Sequence, residues 1–389
     1  MRLVFMTDFT EQFPYRLLRG IIKYGQETGD HWVVCKMPPS YKRENSLRKV
    51  VNFCADWRAD VMIGQFDPGD NLDLFRRKGI VVMAQDFITP FKGVPNITAD
   101  YHRMGQMAAE QFMASGFREF AFFGNNGMCW SDGRRDGFRD TLEAAGLGDH
   151  LHIYDRQRVS NLWFYQQNRL QEWLQSLPRP VGIMACDDNQ ASILLEACRT
   201  LGIRVPFDAA IIGVDNDEIL CTMSEPSLSS INVDLERGGY ETAALAAQMV
   251  KYGLFEGPDI VLQPLSIITR TSSSVIATKD PAIHQALQFI NDHVDHKILV
   301  TDVLEHVPMS RRLLEQRFLK ATGTTIYQYI CNVRINRFAQ LLLSSKDSIA
   351  DIAARMDEAD PKSIARRFQA IKGCTPSAYR KQNLRKLGG

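Results

Sequence analysis

The chain has 389 residues, 45% of them hydrophobic, with 46 Lys+Arg against 45 Asp+Glu, the composition of a soluble globular protein too long for one typical core. No apolar run reaches the roughly 18 residues of a membrane span, and the opening MRLVFMTDFTEQF is too short in its apolar part, and too acidic, for a secretory signal; the expected location is the cytoplasm. The eight cysteines (35, 54, 129, 186, 198, 221, 331, 374) never approach a C-x-x-C spacing, which speaks against a disulfide frame and a zinc site.

In chain order, short β-branched and aromatic runs alternate with longer amphipathic stretches over roughly the first 265 residues. The strand-like runs are LVFM (3–6), WVVCKM (32–37), DVMIGQF (60–66), IVVMAQ (80–85), EFAFFG (119–124), LHIYD (151–155), VGIMACD (181–187) and AAIIGVD (209–215). Helix-like segments lie between them at 14–27, 104–115, 134–145, 163–177, 189–201 and 235–252. Near-continuous apolar strands separated by helices predict parallel sheets covered on both faces, and this length fits two lobes better than one. After the apolar pair VLQPLSIIT comes the polar, Ser/Thr-rich RTSSSVIATKDP, so residues 1–268 form the expected body, 269–281 a linker and 282–389 a tail. The tail pattern is helical only: 282–295, 301–307, 310–321, 325–343, 348–356, 361–371 and 376–384, with Gly323 and Gly373 where helix C-caps are expected.

Charge divides along the same line. From Lys279 onward there are 18 Lys+Arg against 11 Asp+Glu, a net +7, and residues 1–278 carry 28 against 34, a net −6. A basic tail on an acidic body implies a polyanionic partner for the tail. That tail also contains a repeat: Arg317, Phe318, Gly323, Thr325 and Tyr329 recur as Arg367, Phe368, Gly373, Thr375 and Tyr379, each 50 residues on.

In the first copy TDVLEHVPMSRRLLEQRF predicts a short helix, a tight turn and a second helix N-capped by Ser310, with Leu314 and Phe318 on one face and Arg312 and Gln316 on another. In the second, SIADIAARMDEADPKSIARRF repeats the plan with Asp360 as N-cap, Pro361 at the first helical position, Ile364 and Phe368 inward and Lys362 and Arg366 outward. These are two helix-turn-helix units, each offering a helix to a major groove of double-stranded DNA. The candidate DNA contacts are Arg311, Arg312, Gln316, Lys362, Ser363 and Arg366. Arginines and lysines on a helix face often do no more than solvate it, but the duplication and the regional charge favour the nucleic-acid reading.

With its two units, the long joining helix YICNVRINRFAQLLL and the closing GCTPSAYR, the tail resembles the DNA-binding domain of the AraC family of transcription factors. It departs from that pattern in two places. Asp357-Glu358 stands in the second turn where the family usually has Gly-Phe or Gly-Tyr, and Phe338 stands where a small Ala is usual.

In the body, ligands of open parallel sheets gather at the carboxyl ends of strands. Asp8, Asp86, Asn125, Asn126, Asp187, Asp188, Asp215 and Asn216 stand there, a set of acceptors suited to a ligand with many hydroxyls. Arg134 supplies a donor, and Phe13, Phe87 and Trp130 supply aromatic faces for the C–H surface of a sugar. Any one strand-end Asp serves equally well as a helix N-cap, and each aromatic equally well as core. The rhythm DYHRMGQMAAEQFMASGFREFAFFG, RRDGF, VGIMACDDNQA and GIRVPFDAAIIGVDND followed by PSLSSI resembles the effector domain of LacI/GalR-type regulators, itself similar to periplasmic sugar-binding proteins. That resemblance places sugar ligands on Arg134, Asp187 and Asp215.

A LacI/GalR-type body ahead of an AraC-type tail, including the DPAIHQALQFI at their junction, resembles the xylose operon regulators over the whole chain. The resemblance implies a pentose effector and transcriptional activation, and with activation a contact to RNA polymerase. The expected protein is thus an α/β two-lobed periplasmic-binding-protein-like sensor with parallel sheets, fused to an all-α double helix-turn-helix domain, acting as a homodimer without cofactor or metal. Two alternatives stay open: a sugar-acting enzyme with Asp187 and Asp188 as acid and base, and a DNA-binding protein whose body only dimerises. His293-Val-Asp-His296 lacks a third metal ligand, Gly124-Asn-Asn-Gly127 is too degenerate for a nucleotide loop, and no P-loop or G-x-S-x-G motif occurs.

Overall fold

Hydrophobic runs too apolar for a half-exposed strand need a sheet covered on both faces, and the body provides two of them. The computed structural model describes residues 1–10, 12–85, 88–154, 167–275, 278, 280–345, 347–358 and 360–381, and divides into two units, Met1–Ser274 and Val275–Gly389. In the first unit one sheet contains β1 (Arg2–Met6), β2 (Val33–Met37), β3 (Val61–Gln65), β4 (Val81–Gln85), β5 (Asn96–Ala99) and, from much later in the chain, β11 (Ile260–Leu262). The other contains β6 (Glu119–Phe123), β7 (Leu151–Ile153), β8 (Val181–Ala185), β9 (Ala209–Val214), β10 (Ser229–Val233) and β12 (Pro264–Ile268). The orders are β11-β5-β4-β3-β1-β2 and β12-β10-β9-β8-β6-β7, parallel throughout except that β12 runs antiparallel to β10. Every residue of β4, β8 and β9 is buried, which is why these strands read as apolar runs, with Gln85 at the end of β4 the one polar member.

Among the described residues the chain changes lobe three times: after β5, after β10, and between β11 and β12. The crossings are stitched together, Asp100 N–H donating to the Leu262 carbonyl at 3.0 Å and Asp234 N–H to the Gln263 carbonyl at 3.0 Å. Each crossing Asp also caps the helix that follows. Asp100 accepts from Arg103 N–H at the start of Tyr101–Ala114, and Asp234 from Arg237 N–H at the start of Leu235–Tyr252. Each of these helices packs backbone to backbone on a partner in its destination lobe. A Cβ on Gly105 would lie 2.1 Å from the Arg134 carbonyl, and one on Gly239 1.9 Å from the Leu17 carbonyl, so only glycine permits the approach.

Among the elements that carry no signal in the sequence are one helix and one strand of the first lobe. The Pro39–Asp56 helix is rich in charge and broken at Ser46, whose φ is 71°. β5 is short and half polar, and its Asn96 is buried with hydrogen bonds to Phe91, Val94 and Asp259. The start of the stretch expected as a linker is held by the body. Ser272 Oγ donates to the Ile211 carbonyl at 2.7 Å and accepts from Ser229 N–H at 2.8 Å, and Ser229 Oγ meets both the N–H and the carbonyl of Arg270.

The second unit is helical among its described residues: Pro281–Asp292, Val300–His306, Arg311–Thr322, Ile326–Ser344, Ile349–Arg355 and Pro361–Lys372, with residues 376–381 helical after them. The repeated motif accounts for its packing. Phe318 meets Tyr329 edge-on at 5.5 Å and Phe368 meets Tyr379 at 5.3 Å. Gly323 and Gly373 close the preceding helices at φ 70° and 73°, and Thr325 and Thr375 hydroxyls accept N–H groups at the start of the next ones. No described helix is long and apolar enough to cross a membrane.

Candidate functional site

Where the strand ends of the two sheets face each other, the first unit holds a cavity of 340 Å³, within the range of small-molecule sites. The first lobe contributes Asp8, Gln12, Phe13 and Gln65; the second contributes Trp130, Arg134, Asp187, Asp188, Asn189, Asp215 and Asp217; Ile97, Ala99, Tyr101, Val233 and Leu262 come from the crossings. The structure therefore brings together Asp8, Phe13, Trp130, Arg134, Asp187 and Asp215 of the expected set. Asn125 is not among the walls, its N–H donating to Ser131 Oγ at 2.9 Å. Asp86 and Phe87 lie outside the described residues.

Arg134 is the centre of the polar wall. It is 5% exposed, its guanidinium 5.5 Å from the ring centroids of both Tyr101 and Trp130. Nη1 donates to the Cys186 carbonyl, Nη2 reaches Asp215 Oδ1 at 3.4 Å, and Nε is a buried donor without a partner. Burial alone would lower its pKa, but Asp215, with Tyr101, Cys186 and Asp187, outweighs burial and holds it above the ordinary value. A charged donor fixed between two aromatic faces, with one N–H left over, is what a hydroxylated ring presents acceptors to.

Asp187 and Asp188 point to different tasks. Asp187 caps the Asp188–Thr200 helix, accepting from Gln190 N–H at 2.7 Å, and burial raises its pKa against that hydrogen bond. Asp188 is 2% exposed and committed to the lobe's interior: Ser230 Oγ donates to Oδ1 at 2.6 Å, and Asp217 N–H to Oδ2 at 2.7 Å. Burial lifts its pKa well above the usual carboxylate range. The N-cap and the ligand readings of Asp187 are thus compatible, since the cap uses one oxygen of a carboxylate that also lines the cavity. Asp215 and Asn216 both have positive φ, 96° and 49°.

Gln12, Gln65, Asn189, Asp217 and Tyr101 line the cavity without having been singled out in the sequence. Asp217 and Asn189 sit next to strand-end residues that were, and Tyr101 follows the crossing Asp100. Gln12 and Gln65 carry no pattern that a sequence displays.

In the tail, Arg311, Arg312, Gln316, Lys362 and Arg366 are exposed, Ser363 is half-buried, and Leu314, Phe318, Ile364 and Phe368 are buried. Arg311 is paired along its own helix with Glu315 at 2.9 Å. Ser310 stands at the N-cap position without a side-chain bond, whereas Asp360 accepts from Lys362 N–H at 3.0 Å. The second turn is built around its departures. Asp357 takes φ 52°, and Glu358 pairs with Arg367 and, at 3.6 Å, with the buried Arg334, which donates to the Met356 carbonyl. Phe338 is fully buried, 5.8 Å from Phe368. His293 and His296 bond to the Phe289 carbonyl and to Asp357, and no cluster of described residues could hold a metal ion.

Comparison with known proteins matches residues 109–273 to a periplasmic binding protein-like domain and 303–382 to a helix-turn-helix domain. The xylose operon regulatory protein of Haemophilus influenzae is 32% identical over 75% of this chain and 77% of its own length. The protein of the same name from Escherichia coli K12 is 27% identical over 98% and 97%. A solved structure described as the xylose-binding transcription activator xylR superposes with a TM-score of 0.72 at 25% identity, covering 98% of this chain and 97% of that one.

Proposed function

The chain belongs to the family of the xylose operon regulatory proteins, and from that premise we propose that this sugar-responsive DNA-binding transcriptional regulator takes a pentose, D-xylose first among the candidates, in the cavity of its body. The observation that carries the proposal is Arg134, buried between Tyr101 and Trp130 with a spare donor and with Asp187 and Asp215 beside it. Arg134 donates to ring hydroxyls, the carboxylates accept from them, and the aromatic rings cover the C–H face.

The regulator works in the cytoplasm as a homodimer. Each tail sets the Arg311–Thr322 and Pro361–Lys372 helices into successive major grooves, Arg312, Gln316, Lys362 and Arg366 reaching base edges. Sugar closes the lobes and changes which half-site spacing the dimer bridges, raising operator affinity and leading, through RNA polymerase, to activation.

Calorimetry with D-xylose tests the site. Arg134→Ala leaves buried acceptors unpaired at a cost of about 1–3 kcal/mol, so affinity falls about tenfold or more. Unchanged affinity would move the sugar elsewhere.

A further inference from the structure

Arg16 lies in the Gln12–Thr28 helix of the first lobe and is not a wall of the cavity. Its guanidinium leaves its own lobe. Nη1 donates to the Asp215 carbonyl at 2.8 Å, and Nη2 donates to the Val233 carbonyl at 3.0 Å and to Asn232 Oδ1 at 3.1 Å. Asp215 follows β9, and Asn232 and Val233 end β10 where the chain crosses back, so the guanidinium reaches the second lobe at its 215 loop and at the crossing. One turn earlier Gln12 adds two longer contacts to the same region: its N–H meets Asp217 Oδ2 at 3.4 Å, and its Oε1 accepts from Glu218 N–H at 3.4 Å. The first turns of one lobe's helix thus grip residues 215–218 of the other, the loop that brings Asp215 and Asp217 to the cavity.

That loop needs to be held. Asp215 and Asn216 both lie at positive φ, a region uncommon for residues other than glycine although Asp and Asn tolerate it best. Ser230 Oγ accepts from Asn216 N–H at 3.0 Å and Arg270 Nη2 donates to Asn216 Oδ1 at 2.8 Å, both from within the second lobe. Asp215 itself donates its N–H to the Ile231 carbonyl at 3.0 Å and meets Arg134 Nη2 at 3.4 Å, and Arg16 adds a hold on its carbonyl from across the cleft. Burial pulls the Arg16 pKa down, with Asp215 and Glu236 opposing, so the charge is kept in a place where it must be compensated.

We propose that Arg16 is a positioning residue for the sugar site: it latches the first lobe onto loop 215–218 and so sets both the closed fraction of the cleft and the aim of Asp215. The proposal rests on the pentose reading of that cleft. Parting the lobes takes the Asp215 carbonyl away from that guanidinium, and the apparent affinity for sugar scales with the fraction of molecules in which the latch is made.

The test compares full-length wild type, Arg16→Met and Arg16→Lys, with Arg19→Met as a neighbouring control, since Arg19 is exposed and pairs with Glu236. Solution scattering of the sugar-free protein reads the latch alone: Arg16→Met has the larger radius of gyration and D-xylose returns it toward the wild-type value. Calorimetry reads the coupling: Arg16→Met binds D-xylose about tenfold more weakly or worse, and Arg16→Lys, which keeps the charge without the fork, falls between. If Arg16→Met only lowers the melting temperature, with sugar affinity and sugar-free dimensions as in wild type, the residue is structural and the latch is overturned. If wild type gives no heat with D-xylose while Arg16→Met still swells, the latch stands and the pentose reading falls.

Discussion

The two helix-turn-helix units share a motif and differ in how they make the turn. In both, a Phe meets a Tyr edge-on, a left-handed Gly ends the recognition helix and a Thr starts the next. The Arg of the motif is structural in both copies, Arg317 pairing with Asp280 and Arg367 with Glu358. Between the two short helices, however, the first unit has no residue at positive φ among those described, and the second has Asp357 there, flanked by a partly buried ionic cluster. The repeat therefore preserves the scaffold around the recognition helix, while the turn ahead of it is free to be solved by different chemistry. A motif of aromatic, glycine and threonine positions says where the helix goes, and nothing about what it reads.

The strongest way to break the comparison is through the shared aromatic. Phe318→Ala and Phe368→Ala each remove a fully buried ring, a loss of about 3–5 kcal/mol, and denaturant unfolding should show the second as the costlier because Phe338 and Tyr379 both lean on Phe368. Glu358→Gln acts on the second unit alone. It removes the counter-charge of Arg334 and Arg367, costing up to about 3 kcal/mol while the Met356 carbonyl still holds Arg334, and amide exchange should localise the loss to Ile349–Lys372 with Arg311–Thr322 unchanged.

Arg312→Ala separates the units by DNA reading. It should cost about 1–3 kcal/mol at particular bases in a binding-site selection, and the corresponding loss for Lys362→Ala or Arg366→Ala should be smaller. A uniform loss over all sequences would make Arg312 a phosphate contact. The smallest effect is Asp357→Gly, which relieves a left-handed residue and gives up an exposed pair with His296; a gain of about half a kcal/mol in thermal unfolding is expected, with no counterpart anywhere in the first turn.

What could be read in advance follows from where the physics leaves a local trace. β4, β8 and β9 are buried on both faces and so are apolar at every position but Gln85. The crossing strands leave no such trace: Ser229 and Ser230 are fully buried in β10, yet satisfied by Arg270 and Asp188 from distant parts of the chain. The same division runs through the cavity. Asp187 and Asp215 follow apolar strands and stand out, whereas Gln12, Gln65 and Tyr101 matter only because three crossings bring separate segments to one place. Ser272 looked like linker because its hydroxyl is polar, and is core because that hydroxyl bonds the Ile211 carbonyl.

The glycine contacts between helices bear on how such a body moves. Gly20 and Gly239 bring the Gln12–Thr28 and Leu235–Tyr252 helices together at van der Waals range of their main chains, and Gly105 and Gly137 do the same for Tyr101–Ala114 and Cys129–Ala144. In each lobe the helix that follows a crossing is thus locked main chain to main chain onto its partner, which leaves the three crossing ribbons as the places where the lobes can turn against each other. A methyl group at any of these four positions is a wedge driven into that lock. It would splay a helix pair, tilt one lobe and change the response to sugar from a point that no ligand touches.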